Sequence, residues 1–345
     1  MTTFHVPRCV CLLFPLVLAA LSACARDGSA APLLVVPEAR GHRLVLIDPR
    51  AKAVAGAIAV PGWPHEVAFS ADGKTAYTPS YSDAIVGMPG EDGHAIDVID
   101  MATRTWTKSW DLGRPLRPHK VLVAQDGSLL VSAELAQAVA IVDARTGRIA
   151  AQIPTGAAQT HMLEATPDGR KLYTANLGAG SISVLDLKTR KLTRVIAVSD
   201  LVQRIALSRD GKRLFVTNGN APSVVVIDTA TDDIAREIPV AGFPFAACPT
   251  ADGKFLLVGE DEAPLAHGGG TKGLLEVIDL AMNAVAHRFD TDRMPHGIAI
   301  VGDEAFIATW MNGNVDVLNL KAWALEAPIA AAAYGDGIAL WPGLR

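Results

Sequence analysis

Four histidines of this sequence recur at one position of a repeated pattern. His65, His119 and His161 each lie seven residues before the aspartate of an Asp-Gly pair. His296 and Asp336 reach the same position when the segments PHGIA and GDGIA are aligned. Imidazole nitrogens bind transition metals and act as general bases, and a carboxylate can orient them. The recurring position therefore predicts one shared site, provided that the fold brings its copies together.

The elements that must position these residues form a repeat. The steps between successive copies are 52, 43, 43, 42, 51 and 40 residues. A period of about 40 residues with four strands per unit is typical of a β-propeller, whose blades bury their faces only against neighbouring blades. The alternation in SISVLDL, residues 181–187, excludes helical repeats of similar length. Each copy contains an apolar strand that ends in an acid or its amide, and these residues are Asp48, Asp100, Asp143, Asp186, Asp228, Asp279 and Asn319.

Five Asp-Gly pairs form a second recurring feature of the repeat, and Asp-Gly favours a tight turn between two strands. They occur at residues 72–73, 126–127, 168–169, 210–211 and 252–253. Together with LYTAN, LFVTN and VVVIDTATDDIAREIPV, they resemble the YVTN-type repeats of seven-bladed β-propellers. The resemblance covers nearly all of the chain after residue 31 and implies an all-β fold. It implies little about function, because one propeller scaffold serves unrelated tasks.

Counting inner strands predicts how the ring closes. The seventh inner strand, Gly337 to Leu340, is not followed by the three further strands that would complete its blade. Three strands at the N-terminal end of the chain, in turn, lack an inner strand. We therefore expect a seven-bladed β-propeller closed by pairing of N- and C-terminal strands in the last blade, which removes open sheet edges. The three N-terminal strands are predicted at residues 33–37, 43–48 and 54–60.

The same register predicts where the recurring residues lie. Each inner strand begins on one face of the ring, here called the top face, and turns at Asp-Gly on the opposite face. An arc of side chains at the channel mouth is thus the predicted ligand-binding site, formed by His65, His119, His161, His296, Asp336 and Gln203, with Phe245 at the equivalent position of the fifth blade. A histidine at a strand start can also simply cap the strand, and the convergence from adjacent blades is what favours a site.

The arc is compatible with a metal site. His65, His119, His161 and His296 are the predicted metal ligands, since neutral imidazoles suit copper, zinc and other transition metals. Propellers of nitrous oxide reductase and of haem-containing nitrite reductases are similar in placing copper or haem at such a mouth. Their defining motifs are not matched here, so this comparison is one of fold alone.

The first residues predict export to the cell envelope. The apolar run Cys9 to Leu21 has the length of a secretory signal, and the segment LSAC ending at Cys24 resembles the lipobox of bacterial lipoproteins. The expected organisation is a signal peptide over residues 1–23, lipidated Cys24 and a tether over 24–31, and the propeller over 32–345. The residue after Cys24 is Ala25 rather than an aspartate. This resembles the signal that directs proteobacterial lipoproteins to the outer membrane. An ordinary signal containing a cysteine is the alternative.

Composition and motifs leave three functions open. The net charge of −5 lacks the positive excess that is typical of nucleic-acid-binding proteins. The preferred hypothesis is a non-catalytic binding protein, held to the membrane through Cys24 in the periplasm or cell envelope, with a small ligand or an envelope protein on its top face. The second is a metal- or cofactor-dependent redox or trafficking protein. The third is a lactonase-like hydrolase in which Arg117 or Arg204 polarises a carbonyl.

Overall fold

The computed structural model describes residues 1, 31–84, 89–263, 270–331 and 334–344. The predicted signal peptide, Cys24 and nearly all of the tether lie outside these residues. Within the described part of the chain, no helix is long and apolar enough to cross a membrane. The described secondary structure consists of strands β1 to β29 and one 3-10 turn at Glu134–Ala136.

The strands form seven sheets that follow the predicted blades. The first three blades, from inner to outer strand, are β4 (Ala68–Phe69), β5 (Thr75–Ser82), β6 (Asp92–Asp100) and β7 (Thr105–Asp111); β8 (Pro118–Val123), β9 (Leu129–Ala133), β10 (Ala138–Val142) and β11 (Ile149–Pro154); and β12 (Thr160–Ala165), β13 (Lys171–Asn176), β14 (Ser181–Asp186) and β15 (Lys191–Ala197).

The next three blades continue the antiparallel order without a crossover. They are β16 (Val202–Leu207), β17 (Arg213–Asn218), β18 (Ser223–Asp228) and β19 (Asp233–Pro239); β20 (Phe243–Pro249), β21 (Phe255–Asp261), β22 (Gly273–Asp279) and β23 (Ala284–Thr291); and β24 (Pro295–Val301), β25 (Glu304–Thr309), β26 (Asn314–Asn319), β27 (Ala324–Leu325) and β28 (Ile329–Ala330). In the sixth blade the outer strand is split, and both β27 and β28 pair with β26.

The seventh blade joins the two ends of the chain, as the sequence predicted. Its order is β29, β1, β2, β3, and its strands are β29 (Ala339–Trp341), β1 (Leu33–Glu38), β2 (Arg43–Asp48) and β3 (Ala53–Ala59). The C-terminal β29 pairs antiparallel with β1, with Leu340 opposite Leu34. The ring is therefore a seven-bladed β-propeller that closes through one C-terminal strand and three N-terminal ones.

Apolar side chains on both faces of the middle strands pack between neighbouring blades. Phe215 and Val226 of the fourth blade meet Val258 and Ile278 of the fifth in one fully or nearly fully buried cluster. The outer strands contribute much less. In five of them at least half of the residues are exposed and one near the end is buried, at Ile58, Trp110, Ile153, Ile196 and Ile238. This pattern places the core between blades and around the channel.

The repeated acid at the end of each third strand serves the turn into the outer strand. The Asp48 carboxylate accepts hydrogen bonds from the backbone amides of Arg50 at 2.8 Å and Ala51 at 3.1 Å. Asn319 accepts the equivalent bonds from Lys321 and Ala322. An aspartate or asparagine suits this turn because its short side chain bonds its own backbone two residues on. The residues that revealed the repeat are therefore structural.

Candidate functional site

A β-bulge in each inner strand turns the recurring residues toward the channel. In the third blade Thr160 pairs with Asn176 and Met162 with Ala175, so His161 is the extra residue. In the second blade His119 and Lys120 together oppose Ser132, whose hydroxyl accepts a hydrogen bond from each backbone amide. A bulge places two consecutive residues against one, which breaks the alternation of faces. The register shifts at the same place in all seven blades.

Asp336 is the centre of what we call the histidine–aspartate cluster, which comprises His65, His119, His161, His296 and Asp336. The ring of His65 donates from Nδ1 to Asp336 Oδ2 at 2.6 Å, and that of His119 donates from Nε2 to the same oxygen at 3.2 Å. His296 Nδ1 donates to Oδ1 at 3.1 Å. The guanidinium of Arg204 bonds Oδ1 as well. Four donors from four blades thus meet one carboxylate.

A second buried acid, Glu66, balances the positive charges of Lys120 and Arg204 next to Asp336. Glu66 accepts from Arg204 Nη1 at 2.6 Å and from Lys120 Nζ at 2.8 Å. Burial opposes ionisation of Glu66, but the charges of Lys120 and Arg204 hold its pKa at about 2. Burial likewise opposes ionisation of Asp336, yet Arg204 and the three imidazoles hold its pKa well below the usual range. Two carboxylates and two cations therefore compensate each other.

The imidazoles are largely buried, and their hydrogen-bonding groups are incompletely satisfied. Burial lowers the pKa of His119 to about 4 against the opposing effect of Asp336, and burial followed by the charge of His119 lowers the pKa of His161 well below its usual value. One ring nitrogen of each histidine is buried without a hydrogen-bond partner, namely His65 Nε2, His119 Nδ1, His161 Nδ1 and His296 Nε2. A buried polar atom without a partner costs about 1–3 kcal/mol of stability. A bound ligand that hydrogen-bonds to these nitrogens would remove that cost.

Aromatic rings cover the cluster on the side of the top face. The ring of Tyr81, at the end of β5, lies 4.8 Å from that of His65 and 5.1 Å from that of His119 and has no exposed surface. The rings of His119 and His161 lie 3.7 Å apart. His65, His119 and His161 expose at most 4% of their surface. A macromolecule on the top face would not touch these three imidazoles.

A cavity of about 320 Å³ lies in the channel beside the cluster. Eight of the residues that line it have charged, polar or sulfur-containing side chains, namely Glu66, Lys120, Met162, Glu164, Arg204, Arg209, Cys248 and His296. Burial raises the pKa of Glu164 to about 7, with Lys120 acting in the opposite direction. Burial, and then the charge of Glu164, raises the pKa of the Cys248 thiol to about 12. The cavity thus combines two paired cations with a carboxyl group that can hold a proton near neutral pH.

The structure brings most of the predicted arc together. His65, His119, His296 and Asp336 are joined by hydrogen bonds, and the ring of His161 contacts that of His119 at an interplanar angle of 35°. In the described part of the chain no hydrogen bond links Gln203 to the cluster. Its neighbour Arg204 bonds Asp336 instead. The repeat register located the arc positions in or just before the inner strands, whereas the bulge lets the following residue reach the centre as well.

Three residues of the site were missed or given another role. Glu66, Lys120 and Arg204 each follow directly after an arc position, and Arg204 was considered only as an electrophile for a lactone. The signal in the sequence was a charged residue at the position after the arc in three blades. Strict alternation would turn these residues away from the channel, and only the bulge allows both neighbours to reach it. Arg117, the other candidate electrophile, forms an ion pair with Asp92.

The fold and this channel site define a seven-bladed β-propeller with a polar, buried centre. Within that class, residues 148–254 match a family model described as YNCE-like beta-propeller. The chain is similar to a structure of Kuenenia stuttgartiensis Hydrazine Synthase, with a TM-score of 0.67, 19% identity, and coverage of 81% of this chain and 90% of that one.

A second solved structure is similar at the level of the fold. It is described as Dihydro-heme d1 dehydrogenase NirN in complex with DHE, with a TM-score of 0.65, 15% identity, and coverage of 90% of this chain and 75% of that one. Among curated proteins, none matches the sequence. At these identities the two structures show a shared propeller fold and carry no activity over to this chain.

Proposed function

We propose that this protein binds a small polar molecule or ion in its central channel, at the histidine–aspartate cluster and the cavity beside it. The observation that carries the proposal is the combination of a 320 Å³ cavity with four buried imidazole nitrogens that have no partner. Ligand sites in proteins are commonly concave pockets of roughly 300–1,000 Å³ with a few convergent polar groups. The cavity lies at the lower end of that range and favours a small ligand.

Burial is the reason for preferring a small ligand over a protein partner. Tyr81 shields the imidazoles on the top-face side, and His119 has no exposed surface. A protein interface needs exposed side chains over about 800 Å² per partner. A small solute needs only access to the cavity, where His296, Lys120 and Arg204 present polar atoms. Burial of the imidazoles therefore supports the ligand hypothesis over the partner-protein hypothesis, both of which the sequence left open.

We place this binding function in the cell envelope. The support is the signal-like run before Cys24 and the small, polar segment after it. Lipidation at Cys24 would tether the propeller to a membrane, with the outer membrane as the expected location. Labelling of cells with a palmitate analogue tests this, and Cys24→Ser is expected to lose the label and release the protein from the membrane fraction. Equal label in both proteins would contradict the anchor.

A thermal-shift screen tests the binding function. The probes are a panel of small carboxylates, amino acids, phosphate and lactones, measured with the wild type, Lys120→Met and Lys188→Met. Lys120 lines the cavity, whereas Lys188 is exposed at a turn away from it. We expect at least one probe to raise the melting temperature of the wild type and of Lys188→Met but not that of Lys120→Met. A panel without any hit, or hits unaffected by Lys120→Met, would contradict the proposal.

A further inference from the structure

We infer that three residues of the histidine–aspartate cluster, namely His65, His119 and Asp336, form a binding site for a divalent transition-metal ion. The inference rests on the proposed binding function and names the ligand class of the same site. These three residues each offer one ligand atom, and the three atoms lie within 4.8 Å of one another. Among the described residues, they form the compact set of potential ligands, whereas His161 and His296 do not belong to it.

The donor atoms are held by three adjacent blades. His65 lies just before β4 of the first blade, His119 in β8 of the second and Asp336 just before β29 of the seventh. All three are buried, with exposed fractions of 4%, 0% and 3%. Side chains that are fixed by neighbouring rigid sheets keep ligand atoms close together at little entropic cost. Two imidazoles and a carboxylate are the donor set of many zinc sites and also suit copper and nickel.

The hydrogen bonds in the cluster mark where the ion would lie. Asp336 Oδ2 is 2.6 Å from His65 Nδ1 and 3.2 Å from His119 Nε2. Ligand atoms on a tetrahedral zinc ion are separated by about 3.3 Å, so each imidazole nitrogen needs to move away from Asp336 Oδ2 by less than ~1 Å. On binding, the proton on each ring passes to the nitrogen on the far side through exchange with solvent. The protons then lie on His65 Nε2 and His119 Nδ1, the two ring nitrogens that do not bond Asp336.

The other oxygen of Asp336 is kept in place by residues that are not ligands. Oδ1 accepts from Arg204 and from His296, which leaves Oδ2 for the ion. Partners of this kind orient a metal-bound carboxylate. Glu66 and Lys120 complete the charge balance around Arg204. This arrangement separates the roles of the histidines, because His65 and His119 bind the ion while His296 positions the carboxylate.

Titration of untagged, chelator-treated protein with Zn²⁺ tests the inference, with Mg²⁺ as the control ion. We expect one Zn²⁺ per chain, a loss of more than about 100-fold in affinity for His119→Asn, and a loss of about tenfold for His296→Asn. His287→Asn, in β23 and outside the cluster, is expected to bind as the wild type does. Absence of stoichiometric Zn²⁺ binding, or equal loss in all three variants, would overturn the inference.

X-ray absorption of the Zn²⁺-loaded wild type decides the matter if a variant fails to fold. A first shell with two imidazoles and one carboxylate supports the assignment, and a shell without imidazole overturns it. The outcome is separate from that of the thermal-shift screen. If an organic probe is bound through Lys120 and Zn²⁺ is not bound, the metal inference fails while the proposed function stands.

Discussion

At the scale of single residues, the centre of the molecule depends on Asp336. Its two oxygens accept bonds from His65, His119, His296 and Arg204, which come from the first, second, sixth and fourth blades. Asp336 itself precedes the strand that closes the ring. One side chain therefore links the inner ends of five blades, and the same bonds that shape the candidate site also stabilise the fold.

Asp336→Asn is expected to destabilise the protein by about 3 kcal/mol, because removing one partner of a buried ion pair leaves a buried charge incompletely compensated. Urea unfolding measures the change. Asp303→Asn is the matched control, since Asp303 pairs with Lys321 at 2.6 Å where both side chains are more than half exposed. We expect less than about 1 kcal/mol for the control. Similar losses in the two variants would contradict the role given to Asp336.

Glu260 is a second buried acid with a consequence for stability. Its carboxylate accepts from the amide of Gly242 at 2.6 Å, and burial together with the charge of Glu276 raises its pKa. The folded state therefore retains a proton that the unfolded chain gives up at about pH 4.5. The resulting stabilisation is present at low pH and is lost as the pH rises through the raised pKa.

Glu260→Gln replaces the protonated carboxyl by a neutral amide of the same shape. We expect this variant to gain stability relative to the wild type between pH 5 and pH 9, by at least about 1 kcal/mol. Unfolding in urea at the two pH values measures the difference. A difference in free energy between variant and wild type that stays constant with pH would show that Glu260 is ionised throughout.

At the scale of the elements, the bulge and the turns carry the repeat. A one-residue register offset, in or just before the inner strand, recurs in all seven blades and lets pairs of consecutive residues reach the channel. The turn at Thr146-Gly147 shows a second device, because the outer strand of the preceding blade packs against it. A Cβ added at Gly147 would lie 2.1 Å from the Trp110 ring. Glycine is required there for space as well as for its positive φ of 73°.

Gly147→Ala and Gly127→Ala form a matched pair for this turn. Both glycines have a positive φ, but a Cβ at Gly127 meets nothing within 4 Å. We expect Gly127→Ala to cost about 1 kcal/mol through backbone strain alone. Gly147→Ala is expected to cost about 2 kcal/mol more, because the methyl group displaces Trp110. Thermal and urea unfolding of both variants measures the difference, and equal destabilisation would rule out the packing contribution.

At the scale of the whole molecule, stability depends on closure of the ring. Trp341 of β29 is fully buried, packs in the cluster with Val35 and Leu46, and donates from Nε1 to the carbonyl of Gly73 at 2.7 Å. The last strand thereby connects the seventh blade to the first. Without it, β1 would expose its inner edge and the cluster around Leu46 would open.

Truncation after Tyr334 is expected to abolish the single cooperative unfolding transition, since it removes Asp336 and β29 together. Calorimetry and circular dichroism measure the transition. Trp341→Phe is the milder comparison, because it retains the strand and most of the apolar surface while losing one hydrogen bond to Gly73. We expect it to unfold cooperatively at a lower temperature. An unchanged melting curve for the truncated protein would contradict closure through β29.

The sequence by itself determined the number of blades, their boundaries and the closure by the two chain ends. The repeat period, the turn residues and the alternation of apolar residues are local signals in the sequence. They have the same structural effect in every blade. It also predicted that His65, His119, His161, His296 and Asp336 converge, because equivalent positions of a cyclic repeat approach the axis.

Only the tertiary structure decided what these residues do to one another. Arg204 rather than Gln203 bonds Asp336, Asp336 becomes the shared acceptor, and Tyr81 packs against the imidazoles. These outcomes depend on contacts between blades that are far apart in the chain and on burial, which lowers the pKa of His119 to about 4. A local pattern fixes the position of a side chain in its strand, whereas its charge and its partners follow from the neighbours that the closed ring supplies.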